Sequence, residues 1–425
     1  MAYQKQKGTA DILPGTSELW QKVEQTASDI FNRYGYREIR TPLFEDYNVF
    51  SRNVGDTSDI VEKEMYDFKD KGGRHIALRP EGTAGVVRAY VENKLYGPEF
   101  AKPYKVYYMG PMYRYERPQS GRQREFHQIG VEALNSESPQ IDVEVIAMAM
   151  QLFKSFGVPN MKLVINTLGD KKVRTEYRKA LIDYLKPYYD ELSDDSKERL
   201  YKNPLRVLDS KDAHDQEIVK DAPSILDYLD DYSSKYFADV KLLLEKLGID
   251  YEIDPTMVRG LDYYNQTIFE IMSNAKQLGG GWLTVCAGGR YNGLIKQLGG
   301  PEEGGIGFGM GVERLLLLLQ AVNPDFVPKR TIDLFLASAD DKGDNLAFLL
   351  LEKLRAQGIV AEKNYEDIKV GTQIKHAFRY NAKYFAVIGS REVDSGELQL
   401  KNAASGDATT VKIADLEANP QKYLK

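Results

Sequence analysis

Leu19, Trp20, Val23, Ala27, Ile30, Phe31 and Tyr34 recur every three or four residues. That spacing predicts an amphipathic helix over 17–34, capped by Thr16 or Ser17 and ended by Gly35. Helical periodicity returns at 81–96 and at 138–156, where Gly157 is the stop signal. Elsewhere in the first three quarters of the chain, short apolar or alternating runs predict strands at 104–109, 124–131, 161–168, 267–272, 283–287 and 305–310. Turns and irregular pieces separate these strands, without regular strand–helix alternation. The expected core is therefore α+β, an antiparallel-dominated sheet with helices packed against it. Residues 38–44 read as extended, and Pro42 cannot donate to a ladder, which suggests an edge or an interface.

Residues 170–252 break the run of strands. They are rich in Lys, Asp, Glu, Leu and Tyr at helical spacing and read as an inserted helical subdomain. The two prolines of Asn323-Pro-Asp-Phe-Val-Pro-Lys-Arg330 mark a linker. Beyond it the pattern alternates: strand 331–337, helix 345–357, strand 359–364, helix 372–381, strand 384–388. This predicts a separate α/β domain over 331–425 with parallel pairing, after a first domain over 1–325.

Composition narrows the class. The 425 residues suit two or three domains, and 42% hydrophobic with 28% charged residues suits a packed globular core. No apolar run reaches the roughly 18 residues of a membrane span. The first seven residues lack the apolar core of a signal peptide, so a reducing cytoplasm is expected. The one cysteine, Cys286, excludes an internal disulfide and any multi-cysteine zinc site. His75, His127, His214 and His376 lie far apart and show no ligand spacing. A net charge of −6 argues against a generally basic surface but leaves a local basic patch open.

Several segments carry candidate chemistry, each with a plainer alternative. Gly110-Pro-Met-Tyr-Arg-Tyr-Glu-Arg-Pro118 runs into Arg124-Glu-Phe-His-Gln-Ile-Gly-Val-Glu132 and reads as two strands joined by a polar loop. Two-residue spacing puts Arg114 and Glu116 on one face, and likewise Phe126, Gln128 and Glu132. Arg114 there could clamp a phosphate and Phe126 could stack on a base; alternatively the charges pair with each other. Gly304 to Arg314 reads as a glycine-alternating strand feeding a helix, open to a flat ligand or to tight packing. Arg259-Gly-Leu-Asp-Tyr-Tyr264 sets two tyrosines beside a guanidinium, or is a surface turn. Glu81 and Thr83 could hold an ammonium group, or cap the helix that follows. Arg290 and Tyr291, in a glycine-bounded turn, are expected to be exposed or ligand-facing. Cys286 reads as a packed small hydrophobe.

In this order, the segments resemble the class II aminoacyl-tRNA synthetases, and more narrowly the bacterial histidyl enzymes. Gly35-Tyr-Arg-Glu-Ile-Arg-Thr-Pro-Leu-Phe-Glu45 is similar to motif 1, residues 110–132 to motif 2 and 304–314 to motif 3. Residues 259–264 and 287–293 resemble the two histidine signature blocks, and Lys7-Gly-Thr-Ala-Asp-Ile-Leu-Pro14 also matches. The resemblance implies that ATP activates L-histidine, which then passes to tRNA(His). It assigns Arg114 and Arg259 to the α-phosphate and Glu116 to the adenine edge, with Phe126 and Arg314 sandwiching the ring. It assigns Glu81, Gly82, Thr83 and Gln128 to the amino group, and Glu132, Tyr263 and Tyr264 to the imidazole. Arg117, Gln119 and Arg122 would meet the tRNA acceptor end. It further implies Mg²⁺ arriving with ATP, no protein-bound zinc, a homodimer with Pro42 near its interface, and a C-terminal anticodon-binding domain. Rival readings are a non-catalytic regulatory subunit of ATP phosphoribosyltransferase and another class II synthetase. The unbroken 259–264 block and the C-terminal domain weigh against the first. No class I signature is present.

Overall fold

The computed structural model describes residues 3–54, 60–119, 121–275, 281–326 and 330–424. The chain divides into two compact units, Met1–Val327 and Pro328–Lys425. Part of the expected linker, residues 327–329, lies outside the described residues.

The first unit is built on an eight-stranded sheet. Its strands are β1 (Arg37–Glu38), β5 (Tyr104–Tyr113), β6 (Glu125–Leu134), β7 (Met161–Thr167), β8 (Glu252–Ile253), β9 (Asn265–Ser273), β10 (Leu283–Arg290) and β11 (Gly305–Gly311). Their spatial order is β1-β5-β6-β11-β10-β9-β7-β8. The six central strands pair antiparallel, and β1 and β8 add parallel at the two edges. Every strand expected for this region is present, and β5, β6, β9 and β10 run longer than their apolar runs. The extensions of β9 and β10 are polar or glycine-rich and those of β5 and β6 interrupt the apolar pattern with Gly110, Pro111 and Glu132, and neighbouring strands supply the ladder bonds that local propensity would not. A small sheet of β2 (Phe44–Asp46), β3 (Asp67–Lys69) and β4 (His75–Leu78), in the order β2-β4-β3, had no clear signal because each strand is so short.

Alternation gives the main sheet two different faces. Ile129, Val131 and Ala133 of β6 and Ile306, Phe308 and Met310 of β11 point to one side. There they meet the helices Ser17–Arg33 and Pro139–Ser155 through Leu19, Val23, Phe31, Ile146 and Phe153. The first helix keeps its expected limits, but Thr16 makes no side-chain cap; instead Glu18 Oε2 accepts from the Gly15 N–H at 2.7 Å. Gly35, at φ +81°, ends it. The opposite face carries Glu132, Gln128, Glu270 and the glycines of β11, and only part of it is apolar. Helix Thr83–Glu92 and the inserted helix Lys171–Leu185 cover that part through Val87, Tyr90, Tyr177 and Leu181.

The insertion is helical, as expected, but it serves both faces. Its early helices, Lys171–Leu185, Asp194–Lys202 and Ala213–Val219, stay on the Glu132 side, and the buried Asp215 carboxylate ties the last two together by accepting from Ser193, Ser196 and Ser210. Its last helix, Asp231–Lys246, joins the opposite core through Phe237, Val240 and Leu244. Arg290 departs from expectation, being fully buried in the core, and Tyr291, also buried, turns its hydroxyl to Glu132. Arg290 forms a buried ion pair with Asp142 and donates to the Ser136 carbonyl at 2.6 Å, which ties β10 to helix Pro139–Ser155. A guanidinium with its charge and most of its donors satisfied can lie in a core.

The second unit has a sheet of β12 (Ile332–Ser338), β13 (Ala361–Lys363), β14 (Ala382–Ile388), β15 (Glu397–Asn402) and β16 (Ala408–Lys412), in the order β13-β12-β14-β15-β16. The first three strands pair parallel, as their alternation with helices predicted. The last two form an antiparallel hairpin whose strands place single apolar residues, such as Leu398, Leu400 and Val411, among exposed polar ones.

Candidate functional site

A cleft of about 580 Å³ opens on the polar face of the first unit's sheet. Its walls include Arg114, Glu116, Phe126, Gln128, Arg259 and Arg314, which are far apart in sequence. Arg114 and Glu116 do not share a strand face, because β5 ends at Tyr113. They meet in the following loop, where Arg114 Nε donates to the Pro80 carbonyl at 2.9 Å and Arg114 lies 3.8 Å from Glu116. The Arg114 guanidinium also sits 5.2 Å from the Phe126 ring centre. Arg314 lies in the first turn of helix Val312–Val322 and donates to the Thr284 carbonyl at 2.7 Å. Phe126 and Arg314 thus line one cleft from different elements, with room for a flat ring beside them.

Arg259 is held on the β9 side of the cleft. It pairs with Glu270, whose other oxygen accepts from the Thr284 hydroxyl. Burial opposes its charge, but Tyr264 and Glu270 more than restore it, so the guanidinium stays charged. Glu270 and Thr284 had not been singled out from the sequence. The signal was present for Glu270: a carboxylate alternating with apolar residues within a strand.

A second group is buried beside the cleft. Glu132 accepts from Thr83 Oγ1 at 2.7 Å and from the Tyr291 hydroxyl. Glu81 caps helix Thr83–Glu92, accepting the N–H groups of Thr83 at 2.6 Å and Ala84 at 2.8 Å. The helix-capping reading of Glu81 is therefore realised, and it sets the carboxylate next to the Thr83–Glu132 pair. Tyr263 and Tyr264 are buried with ring centres 4.7 Å apart, and Arg259 stands 5.7 Å from the Tyr264 ring. Burial pushes the Glu132 carboxyl up to about 8, against the hydrogen bonds from Tyr291 and Thr83. Burial also raises Glu81, partly offset by its two backbone donors.

The glycines make room for this network. A Cβ on Gly307 would stand 2.0 Å from Glu132 Oε2, so β11 must be bare there. Gly82, just before the helix, faces the Tyr108 ring in the same way. The glycine face expected to receive a flat ligand is thus partly filled from within, and Gly311 is the glycine of β11 that lines the cleft. Of the three loop residues expected at an RNA end, Arg122 lines the cleft and lies 3.6 Å from Glu116. Arg117 and Gln119 are exposed. Cys286 is buried, and burial raises its thiol pKa. Among the described residues, no group of three or more His, Cys, Asp or Glu is placed to hold a metal ion, and no helix is long and apolar enough to cross a membrane.

Comparison with known proteins decides the family. The family model for histidyl-tRNA synthetase matches residues 8–315, and the one for the anticodon binding domain matches residues 335–422. The chain belongs to the histidyl-tRNA synthetase family. It is 62% identical over 419 residues to the histidine–tRNA ligase of Latilactobacillus sakei, covering 99% of this chain and 96% of that protein. It is 60% identical to the histidine–tRNA ligase of Lactiplantibacillus plantarum over the whole of both chains. The crystal structure of apo S. aureus histidyl-tRNA synthetase superposes with a TM-score of 0.85 at 41% identity, covering 100% of both chains. The class II catalytic core and the C-terminal α/β domain expected from the sequence are both present.

Proposed function

We propose that this chain activates L-histidine with ATP and transfers it to the 3′-terminal ribose of tRNA(His). The observation that carries the reading is the full-length identity of about 60% to histidine–tRNA ligases. A purely regulatory role is less supported. The fold is shared at 23% identity and a TM-score of 0.64 with a protein described as an ATP phosphoribosyltransferase regulatory subunit/histidyl-tRNA synthetase, but that likeness concerns the fold alone. Charging of tRNA(His) with labelled histidine tests the reading; no charging by the folded protein would overturn it.

In this account the cleft takes ATP, with Mg²⁺ arriving on its phosphates. Adenine lies between Phe126 and Arg314, with Glu116 at its edge. The histidine carboxylate attacks the α-phosphate in line, a P–O bond to pyrophosphate breaks, and negative charge builds on the phosphate oxygens. Arg114 and Arg259 face that charge from two sides of the cleft as fixed cations. Neither guanidinium gives up a proton near neutral pH, so both act electrostatically. Glu81, Gly82, Thr83 and Gln128 border the amino group. Glu132, Tyr263 and Tyr264 meet the imidazole, whose two nitrogens need buried polar partners. Arg117, Gln119 and Arg122 then receive the acceptor end of the tRNA. No protein-bound zinc enters this scheme.

Glu270 positions Arg259 in this scheme. Glu270→Gln removes the charge but keeps an acceptor, and is expected to lower kcat for histidine activation by about tenfold, as for one weakened charged hydrogen bond. The KM for histidine should barely move. An unchanged kcat would remove Glu270 from the account.

Residues 331–425 form an anticodon-binding module in this reading, and residues 1–325 the catalytic domain with its insertion at 170–252. Its acidic and basic residues nearly balance, so RNA contacts there are local. A chain ending at residue 326 is expected to lose tRNA charging at least about tenfold more than histidine activation, as when one of two linked contact regions is removed. Equal loss of both activities from a folded protein would contradict a separate module. The reading also implies a cytoplasmic homodimer, with Pro42 near the interface; sedimentation at twice the chain mass would support the dimer.

A further inference from the structure

A second cavity, of about 280 Å³, lies behind the 259–264 segment and against the inserted helices. Its lining is strongly basic. Lys171, Arg174, Arg178, Lys202, Arg206 and Arg259 contribute to it, and Asp262 is the one acidic residue. The Asp262 carboxylate already accepts from Asn203 at 2.7 Å.

The two central arginines spend hydrogen bonds on backbone carbonyls, and Asp262 and Asp170 offset only part of the burial that opposes the Arg174 charge. Arg178 donates to the carbonyls of Tyr201 at 2.8 Å and Lys202 at 2.7 Å. Arg174 donates to the carbonyls of Asp262 at 3.4 Å and Tyr264 at 2.8 Å. Carbonyls satisfy N–H groups but do not neutralise a cation. The Nε atoms of Arg174 and Arg259 are buried without a hydrogen-bond partner, which is costly unless something completes the site. Like charges gathered in a recess repel, and an anion placed among them relieves that repulsion.

We propose that this cavity binds a small phosphate-type anion, inorganic pyrophosphate foremost, separately from the nucleotide cleft. Arg174 and Arg259 stand in the half-open recess and Lys171, Arg178 and Lys202 on its exposed rim, and a hollow of about 280 Å³ takes a compact polyanion whole but only one phosphate of a long duplex. The site is coupled to the chemistry through Arg174, which holds the carbonyls of Asp262 and Tyr264. Arg259 lines both this cavity and the cleft. An anion drawn to Arg174 therefore acts on the segment that carries Arg259, Tyr263 and Tyr264.

The test is calorimetric titration of pyrophosphate into the intact protein, with the main cleft saturated by a non-hydrolysable ATP analogue and histidine. Lys171→Glu and Thr175→Glu each put a carboxylate at the cavity mouth, on an exposed helix surface. Neither residue belongs to the catalytic group. The expected result is one pyrophosphate per chain on the saturated protein, with affinity reduced at least about tenfold in each variant. Unchanged melting temperatures would confirm that the variants fold. No pyrophosphate binding to the saturated protein would overturn the proposal. So would equal affinity in both variants, or variants that keep pyrophosphate affinity while losing RNA affinity, since the cations would then serve a nucleic acid.

Discussion

Replacing Arg259 with alanine is expected to lower histidyl-adenylate formation by about 10²–10³-fold, the usual loss when one preorganised donor to a developing oxyanion is removed. Most of that loss should fall on kcat, because the charge it meets is largest in the transition state. Arg259 is fixed by its pair with Glu270 and by its place beside Tyr264. It therefore needs little reorganisation when substrate arrives. The fold should survive, since Glu270 keeps the Thr284 hydroxyl as a partner. Lysine at the same position would restore charge but not the planar fork, and should recover only part of the rate. Single-turnover measurement of adenylate formation checks this, and a rate within about twofold of the original, far inside the span expected for such a donor, would remove Arg259 from catalysis.

The second large effect concerns Glu132. Glu132→Gln should reduce kcat/KM for histidine by about 10–100-fold, the range for leaving a buried polar partner unsatisfied. The same change should stabilise the empty protein as pH rises. Burial raises the folded-state pKa from the ordinary 4.5 to about 8. Between those values the folded protein holds a proton that the unfolded chain has released, so stability falls as pH rises through the window. Glutamine carries no charge at any pH and avoids that loss. The variant's melting temperature relative to the original's should climb from pH 4.5, where the lost hydrogen bonds leave it lower, to above the original's by pH 8, and then level off. The plateau corresponds to about 2–4 kcal/mol, since glutamine cannot accept from both Thr83 and Tyr291 as the carboxylate does. Thermal unfolding across that range measures it, and a margin independent of pH would show that Glu132 is not held protonated. A carboxyl that destabilises the empty fold and serves ligand recognition fits a binding site better than a packing position.

Much of this was legible in the sequence because the signals were periodic. The alternation in β6 placed Phe126, Gln128 and Glu132 on one face, and the structure keeps them there. The helix at Ser17–Arg33 follows from its apolar spacing. Where the signal was two residues long, as for Arg114 and Glu116, the inference failed: strand β5 had already ended. Arg290 was misread for a different reason. Its burial depends on Asp142, which lies 148 residues away in sequence. No local pattern could supply that partner, and an arginine in a glycine-bounded turn otherwise reads as exposed. The basic cavity was missed on the same ground, since it depends on elements that meet only in the folded chain; for Glu270 the alternation was visible, but its partners Arg259 and Thr284 were not. The single-residue apolar spacing of the β15–β16 hairpin was too sparse to distinguish it from loop.

The most direct test of the central claim is ATP–pyrophosphate exchange measured with each amino acid in turn. The account predicts exchange with histidine and none of comparable rate with the others. Exchange driven by a different amino acid would contradict the assignment of Glu132, Tyr263 and Tyr264 to the imidazole. No exchange with any amino acid, from a folded protein, would contradict the activation chemistry itself.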